Sequence, residues 1–421
     1  MTPRANQQVD MHAGQTAKPA TPAVGKPWVV FFGEDWGRLG STGQYLAAEL
    51  VQTHRVLWVN SLGLRAPRLA LSDARRVLRK LSGFIIALLQ RDGAEGGNRP
   101  EGLVVLNPMA LPWLTSTAVR RFNRWLMTRL LHRARSRYGI VEPAIISACP
   151  ATADIMDVLD PVLTIYYCAD EYAAHPGMNP GLVRTLELRL MAQADIVVVC
   201  SRALQALKSR HHPDVRYLPH GVRFSHLNRA VTDTLQCPAE LVGAMRGAVI
   251  GYLGSIGAHL DMALIRAAAL RMPEALFVMA GPVEPDAGDL PDVPNLLYTG
   301  HVAYEHVPRF LARFDVALLP WSASERIRYA HPTKLREYLA AGCLVVSTPH
   351  PEVSGVSPYI VIADGAGPFT AAIREQLQRR PAVARETVAS PMRAHDWAER
   401  AARLRTILAS VPTAAPARLA P

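Results

Sequence analysis

His331-Pro332-Thr333-Lys334-Leu335-Arg336-Glu337-Tyr338-Leu339-Ala340-Ala341-Gly342-Cys343-Leu344-Val345-Val346-Ser347-Thr348 decides how the rest of the chain is read. Pro332 stands where a helix can begin, the stretch after it favours helix, and Gly342 is placed to end it. Leu344 to Ser347 is then a short apolar run with β-branched residues, the pattern of a buried strand. Lys334 and Glu337 lie three residues apart and so share one helix face. Lys334 falls in the first turn, where backbone N–H groups already favour an anion. Glu337 is one turn deeper, at a reach suited to sugar hydroxyls. A cation for phosphate and a carboxylate for a ribose are what a nucleoside-diphosphate sugar requires. The plainer alternative is a solvated ion pair worth about 0.3 kcal/mol, and spacing alone leaves both open.

Upstream of this segment, strand and helix alternate at short spacing. Ala248 to Leu253 is an apolar run, Gly254-Ser255-Ile256-Gly257 a loop, and Asp261 to Arg271 a helix. Strands are expected over Ala275 to Met279, Leu296 to Tyr298 and Val316 to Pro320, with a helix over Tyr304 to Arg313. The first half repeats the arrangement. Pro27 to Phe32 is a strand, Ser41 caps a helix through Leu50, and Arg55 to Val59 returns as a strand. Further strands are expected at 103–106, 144–147, 163–167 and 196–199. The pattern is that of an α/β protein with two Rossmann-like, doubly wound parallel sheets. Ligands bind such sheets beyond the carboxyl ends of the strands, where Gly254, Ser255, Gly281, His301 and Lys334 all fall. The first loop, Gly33 to Gly40, is not a G-x-G-x-x-G fingerprint and gives little support to dinucleotide binding.

The run Pro332-x-Lys334-x-x-Glu337-Tyr338-Leu339-Ala340-Ala341-Gly342, followed by Val345-Val346-Ser347, resembles the donor-site segment of GT-B glycosyltransferases. It is most similar to bacterial enzymes that build cell-surface polysaccharides such as teichuronic acid and xanthan. Tyr217-Leu218-Pro219-His220-Gly221-Val222 resembles the segment where the GT-B chain crosses to its second domain. The resemblance spans about Trp28 to Ala401 and is most specific from Gly251 to Ser347. Residues 1–26, poor in large apolar residues and rich in Ala, Thr, Gln and Pro, read as a disordered tail, and the resemblance implies an acceptor-side domain over 27–222 and a nucleotide-sugar domain over 223–400 facing it across a cleft. Residues 401–421 would be a helix end and a second tail. It also implies that Lys334 contacts the donor phosphates and Glu337 the ribose, with Gly254, Ser255, Gly281 and His301 lining the same donor site.

Two departures qualify the match. The position eight residues before Glu337, a glutamate in many GT-B enzymes, is Tyr329. The loop after Gly254 lacks the Arg and Lys that many relatives place there, with only His259 as a possible cation. Arg326 and Arg328 are therefore candidates for phosphate or acceptor contacts. The departures agree better with xanthan-type glucuronosyltransferases, which are inverting.

An inverting transfer needs a base to take the acceptor hydroxyl's proton. Ile165 to Tyr172 reads as a strand ending in Asp170 and Glu171, and Asp170 matches the position of the base in the xanthan-type enzymes. Burial in a cleft is expected to raise its pKa. The alternative is that Asp170 caps the following turn. Asp35, with Glu34, in the first loop is the second candidate base. His175, five residues after Asp170, could orient that carboxylate or line the acceptor side. His220, at the crossover, suits a structural hydrogen bond. With no D-x-D motif in the chain, no obligatory metal is expected, and no cofactor beyond the donor itself.

Charge and composition bound the rest. At 421 residues with 49% apolar residues, two domains with substantial cores are expected. Between Arg65 and Arg137 there are 15 Lys/Arg against 4 Asp/Glu, a surplus equal to the whole chain's net charge of +11. Two stretches, 74–89 and 120–133, interleave those cations with large apolar residues, as helices lying on anionic membrane do. Water-facing arginines on an ordinary amphipathic helix are the alternative. Nucleic acid is not an expected partner, because no recognition motif accompanies the charge. No run approaches the ~20 apolar residues of a spanning helix, and the 5 scattered cysteines suit reduced thiols. The expected location is cytoplasmic, peripheral to the inner membrane face. The rivals on the same fold are a nucleotide-sugar 2-epimerase and a non-catalytic nucleotide- or glycan-binding protein.

Overall fold

The computed structural model describes residues 25–37, 40–62, 99–111, 113–175, 177–244 and 247–410. The stretches 1–24, 74–89 and 412–421, read from sequence as tails and a basic helix, lie outside the described residues. The strands are β1 (Trp28–Phe32), β2 (Arg55–Val59), β3 (Leu103–Leu106), β4 (Ala144–Ser147), β5 (Leu163–Cys168), β6 (Ile196–Val199) and β7 (Val215–Tyr217). After the crossover come β8 (Val249–Leu253), β9 (Leu276–Ala280), β10 (Leu296–Gly300), β11 (Val316–Leu319), β12 (Leu344–Ser347) and β13 (Ile360–Ile362).

They form two sheets, ordered β3-β2-β1-β4-β5-β6-β7 and β10-β9-β8-β11-β12-β13. All the strand pairings within them are parallel, with Phe32 opposite both Val59 and Ser147 in the first sheet. In the second, Val316 lies opposite both Ile250 and Leu344. The strand order reverses beside β1 in one sheet and β8 in the other, opening the crevice where such sheets bind ligands.

Because helices cover both faces, the central strands are apolar without alternation, and β1, β5 and β8 are buried at every position. Helices Thr117–Tyr138 and Pro180–Gln193 pack on one face of the first sheet through Met127, Leu131, Leu186 and Leu190. The other face is covered by Thr42–Leu50, whose cap Ser41 accepts a hydrogen bond from Gln44 N, and by Trp397–Ala409. This last helix buries Trp397, Ala401, Leu404 and Leu408 against the first domain, although it follows the second domain in sequence. The domain limit placed at residue 400 therefore falls inside a helix. The second sheet is covered by Met262–Arg271 and Ala366–Arg379 on one face. On the other lie Phe224–Thr232, Val307–Leu311 and Thr333–Ala340.

Candidate active site in the interdomain cleft

On the second-domain side, Gly254 and Ser255 follow β8 and Gly281 follows β9. A Cβ on Gly281 would stand 1.9 Å from the Gly254 carbonyl oxygen, so glycine is required where these two turns meet. The helix Thr333–Ala340 starts after Pro332 and is closed by Gly342 at φ +72°, as its sequence indicates. Lys334 Cε lies 3.2 Å from the position of a Cβ on Gly254, which places the ammonium over the glycine turn. Lys334 Nζ also lies 2.8 Å from Glu337 Oε2, with both side chains partly exposed to the cleft. The two side chains thus hold one another. Tyr252 donates to the Ser255 carbonyl at 2.9 Å and stands 3.5 Å from His259 Nε2. His301, just past β10, is exposed.

Asp170 follows β5 on the first-domain side. Its Oδ2 lies 2.7 Å from His175 Nε2, and its Oδ1 accepts from Glu171 N at 2.8 Å. Asp170 caps no helix; it holds His175, whose ring stacks on Tyr172. Burial pushes the Asp170 pKa up, but the hydrogen bond and charge of His175, the Glu171 N–H and Arg326 outweigh it, and the net shift is downward. The raised value expected from burial alone is corrected: the carboxylate is ionised and oriented.

Beneath it lies a buried ionic triad. Lys208 Nζ stands 2.7 Å from both Glu171 Oε2 and Glu187 Oε1, and Tyr166 donates to Glu187 Oε1 at 2.7 Å. Burial draws the lysine's pKa down, yet Cys168 and the two carboxylates reverse this and raise it. Asp35 lies in a turn fixed through its backbone, its carbonyl accepting from Gln44 Nε2 at 3.2 Å. Trp58 Nε1 donates to the neighbouring Glu34 carbonyl at 2.9 Å.

Several groups join the two faces. Arg326, in the helix Glu325–Tyr329, acts electrostatically on both Asp170 and His259, so it stands between the domains, whereas Arg328 is exposed and lies over Tyr329. Ser201 donates to the Tyr329 carbonyl at 2.7 Å, and Glu352 accepts from Arg202 N and from Tyr217 OH. His220 Nδ1 lies 3.0 Å from Thr42 Oγ1, and its ring meets His331 edge-on at 5.0 Å. Arg336, His395 and Arg400 complete this buried joint. Burial lowers His220, His350 and His395 to about 4. Sequence spacing does not mark the joint as a whole, since Thr42 lies 178 residues from His220, and His220 more than a hundred from His331. Tyr45, Arg223 and Tyr304, which gather beside Glu337, were likewise unmarked.

The described part of the basic tract includes the helix Thr117–Tyr138, which contains no acidic residue. Arg120, Arg124 and Arg135 pair with Asp154, Asp157 and Asp160. Its outer face shows Phe122 stacked on Trp125 at 5.8 Å, with Arg129 over the indole at 4.2 Å. Met109, Leu111 and Trp113 are exposed in the segment before it. Among the described residues no helix is long and apolar enough to cross a membrane, and no cluster of His, Cys, Asp and Glu could hold a metal ion.

Residues 262–406 match the family described as Glycosyl transferase-like. TuaH of Bacillus subtilis (strain 168), a protein assigned to teichuronic acid biosynthesis as a glycosyltransferase, is 29% identical over 252 residues. That alignment spans 55% of this chain and 63% of TuaH. Sucrose-phosphate synthase from Thermosynechococcus elongatus superposes with a TM-score of 0.63 at 13% identity, covering 91% of this chain and 98% of that one. Anabaena HepE in complex with UDP and glucose gives 0.61 at 12% identity, covering 91% and 99%. The two facing parallel sheets are the GT-B fold, and the chain resembles GT-B glycosyltransferases.

Proposed function

We propose that this protein is a metal-independent glycosyltransferase of the hexosyltransferase type. It would move a sugar from a nucleoside-diphosphate donor, a UDP-sugar, to a saccharide or lipid-linked saccharide in exopolysaccharide or cell-envelope glycan synthesis. The observations that support the reading are the Asp170–His175 pair at 2.7 Å after β5, the Lys334–Glu337 pair beside the Gly254 turn after β8, and Arg326 acting on groups of both domains. The donor rests on the second domain. Lys334 exchanges its contact with Glu337 for the donor phosphates, and Glu337 turns to the ribose. The acceptor enters on the first-domain side. Asp170 takes the acceptor proton as the oxygen attacks the anomeric carbon, and His175 keeps the carboxylate aimed. The departing diphosphate gathers charge beside Lys334 and the helix start, where a preorganised cation acts most strongly. HepE, a neighbour of the same fold, is described in complex with UDP and with UDP-glucose, which supports the choice of uridine.

The aromatic and basic outer face of Thr117–Tyr138 supports peripheral attachment to anionic membrane, where a lipid-linked acceptor would be found. The decisive experiment is thermal-shift binding of UDP, GDP, dTDP, CMP and ADP to the wild type, Lys334→Ala and Asp170→Asn. Stabilisation by UDP that is lost in Lys334→Ala and kept in Asp170→Asn fits the roles assigned. No stabilisation by any of the five removes the donor site from consideration.

A further inference from the structure

The donor face is short of positive charge. Lys334 is balanced by Glu337 at 2.8 Å, and the loop Ser255 to Leu260 contains no Lys or Arg. A diphosphate bound there needs a second cation. Arg326 stands between the domains, and its charge is shared between His259 and the Asp170 carboxylate.

Arg223 stands at the domain crossover, immediately before the helix Phe224–Thr232. It is exposed, and among the described residues no Asp or Glu forms an ion pair with it. The helix start that it precedes is already satisfied, because Asp396 Oδ2 accepts from Phe224 N at 2.9 Å. The guanidinium rests 5.5 Å from the Tyr304 ring centroid, and Tyr304 is stacked on His226 at 4.6 Å. Tyr45 stacks on Trp397 at 5.1 Å, and its hydroxyl lies in the fields of Arg223, Glu337 and Lys334 together. His220 meets His331 edge-on at 5.0 Å, so Arg223 and Lys334, each three residues further along, leave the same joint, and their charges act with that of Glu337 on the Tyr45 hydroxyl.

We propose that Arg223 is the second diphosphate-binding cation, contributed by the domain crossover and meeting the donor phosphates opposite Lys334. A guanidinium suits that task because its parallel N–H groups match two phosphate oxygens. The assignment rests on the glycosyltransferase reading of the site, and it supplies the charge that the glycine-turn loop lacks.

The test is calorimetric titration of UDP, UMP and uridine into the full chain as wild type, Arg223→Gln and Arg223→Lys. Arg223→Gln should weaken UDP about tenfold or more while changing uridine little, and Arg223→Lys should recover part of the loss. Equal losses for UDP and uridine would make Arg223 a wall of the nucleoside pocket and overturn the proposal. UDP binding unchanged in Arg223→Gln overturns it as well, while leaving the donor site standing. A wild type that ignores UDP overturns the donor site and this assignment together. The unfolding midpoint of each ligand-free variant separates a lost contact from a damaged fold.

Discussion

Replacing Lys208 with methionine tests how the loop carrying Asp170 is held. The change keeps an unbranched, mostly apolar side chain, one atom shorter, and removes its charge. Glu171 and Glu187 would be left as carboxylates 7% and 4% exposed, without the ammonium that stands 2.7 Å from each. Removing one partner of a buried ion pair costs about 3–5 kcal/mol, much of it the cost of leaving charge uncompensated. Here two carboxylates lose one shared partner and only Glu187 keeps a neutral donor, Tyr166, so the upper part of that range is expected. Urea unfolding followed by tryptophan fluorescence, compared with wild type at a common slope, measures the loss. The pH dependence checks its cause. In Lys208→Met the two carboxylates would have folded pKa values above their unfolded ones. The penalty is then greatest at high pH and shrinks as the pH falls through the raised values, so the gap to wild type should narrow between pH 8 and pH 5. Adding Glu187→Gln should restore part of the stability. A loss below about 1 kcal/mol, or a gap that widens on acidification, would refute the view that charge compensation holds this loop.

The histidine joint predicts acid sensitivity. His220, His350 and His395, held near 4 against an ordinary 6.5, stabilise the fold fully above pH 6.5 and progressively less as the pH falls toward 4. Unfolding midpoints across that window should drop in wild type and drop less in His220→Gln. Gly281→Ala would drive a Cβ to 1.9 Å from the Gly254 carbonyl oxygen and must move the turn. UDP affinity should fall about tenfold or more, whereas Gly367→Ala, with open space around it, should change nothing in the same titration. Phe122→Ser with Trp125→Ser should release the protein from vesicles containing anionic phosphatidylglycerol in a flotation assay. Equal flotation of the variant and wild type would exclude that helix face as the contact.

The parts of the fold that were legible in the sequence are those with local signals. The Pro332 start, the Gly342 stop and the continuous apolar runs of β1, β5, β8 and β12 follow from backbone chemistry within a few residues. The short edge strands β7 and β13 carry only three residues each, too few for periodicity to register. Lys334 with Glu337, and Asp170 with His175, were legible because partners three and five residues apart meet on one turn or loop. The net lowering of the Asp170 pKa was not, because it depends partly on Arg326, more than 150 residues away. Tyr45, Arg223 and Tyr304 are ordinary surface residues until the crossover brings them beside Glu337.

The position of the helix Trp397–Ala409 sets an order on how the chain can complete its two halves. Strands β1 to β6 leave the ribosome first, yet Leu50, Ile165 and Val198 share a core with Leu404 and Leu408. The second sheet is contiguous in sequence and can close over its own helices before that last helix emerges. The half made first is therefore finished last, with one apolar face uncovered throughout the synthesis of the other. Truncation at residue 396 should leave the second half folded and turn the first into a species that chaperones bind.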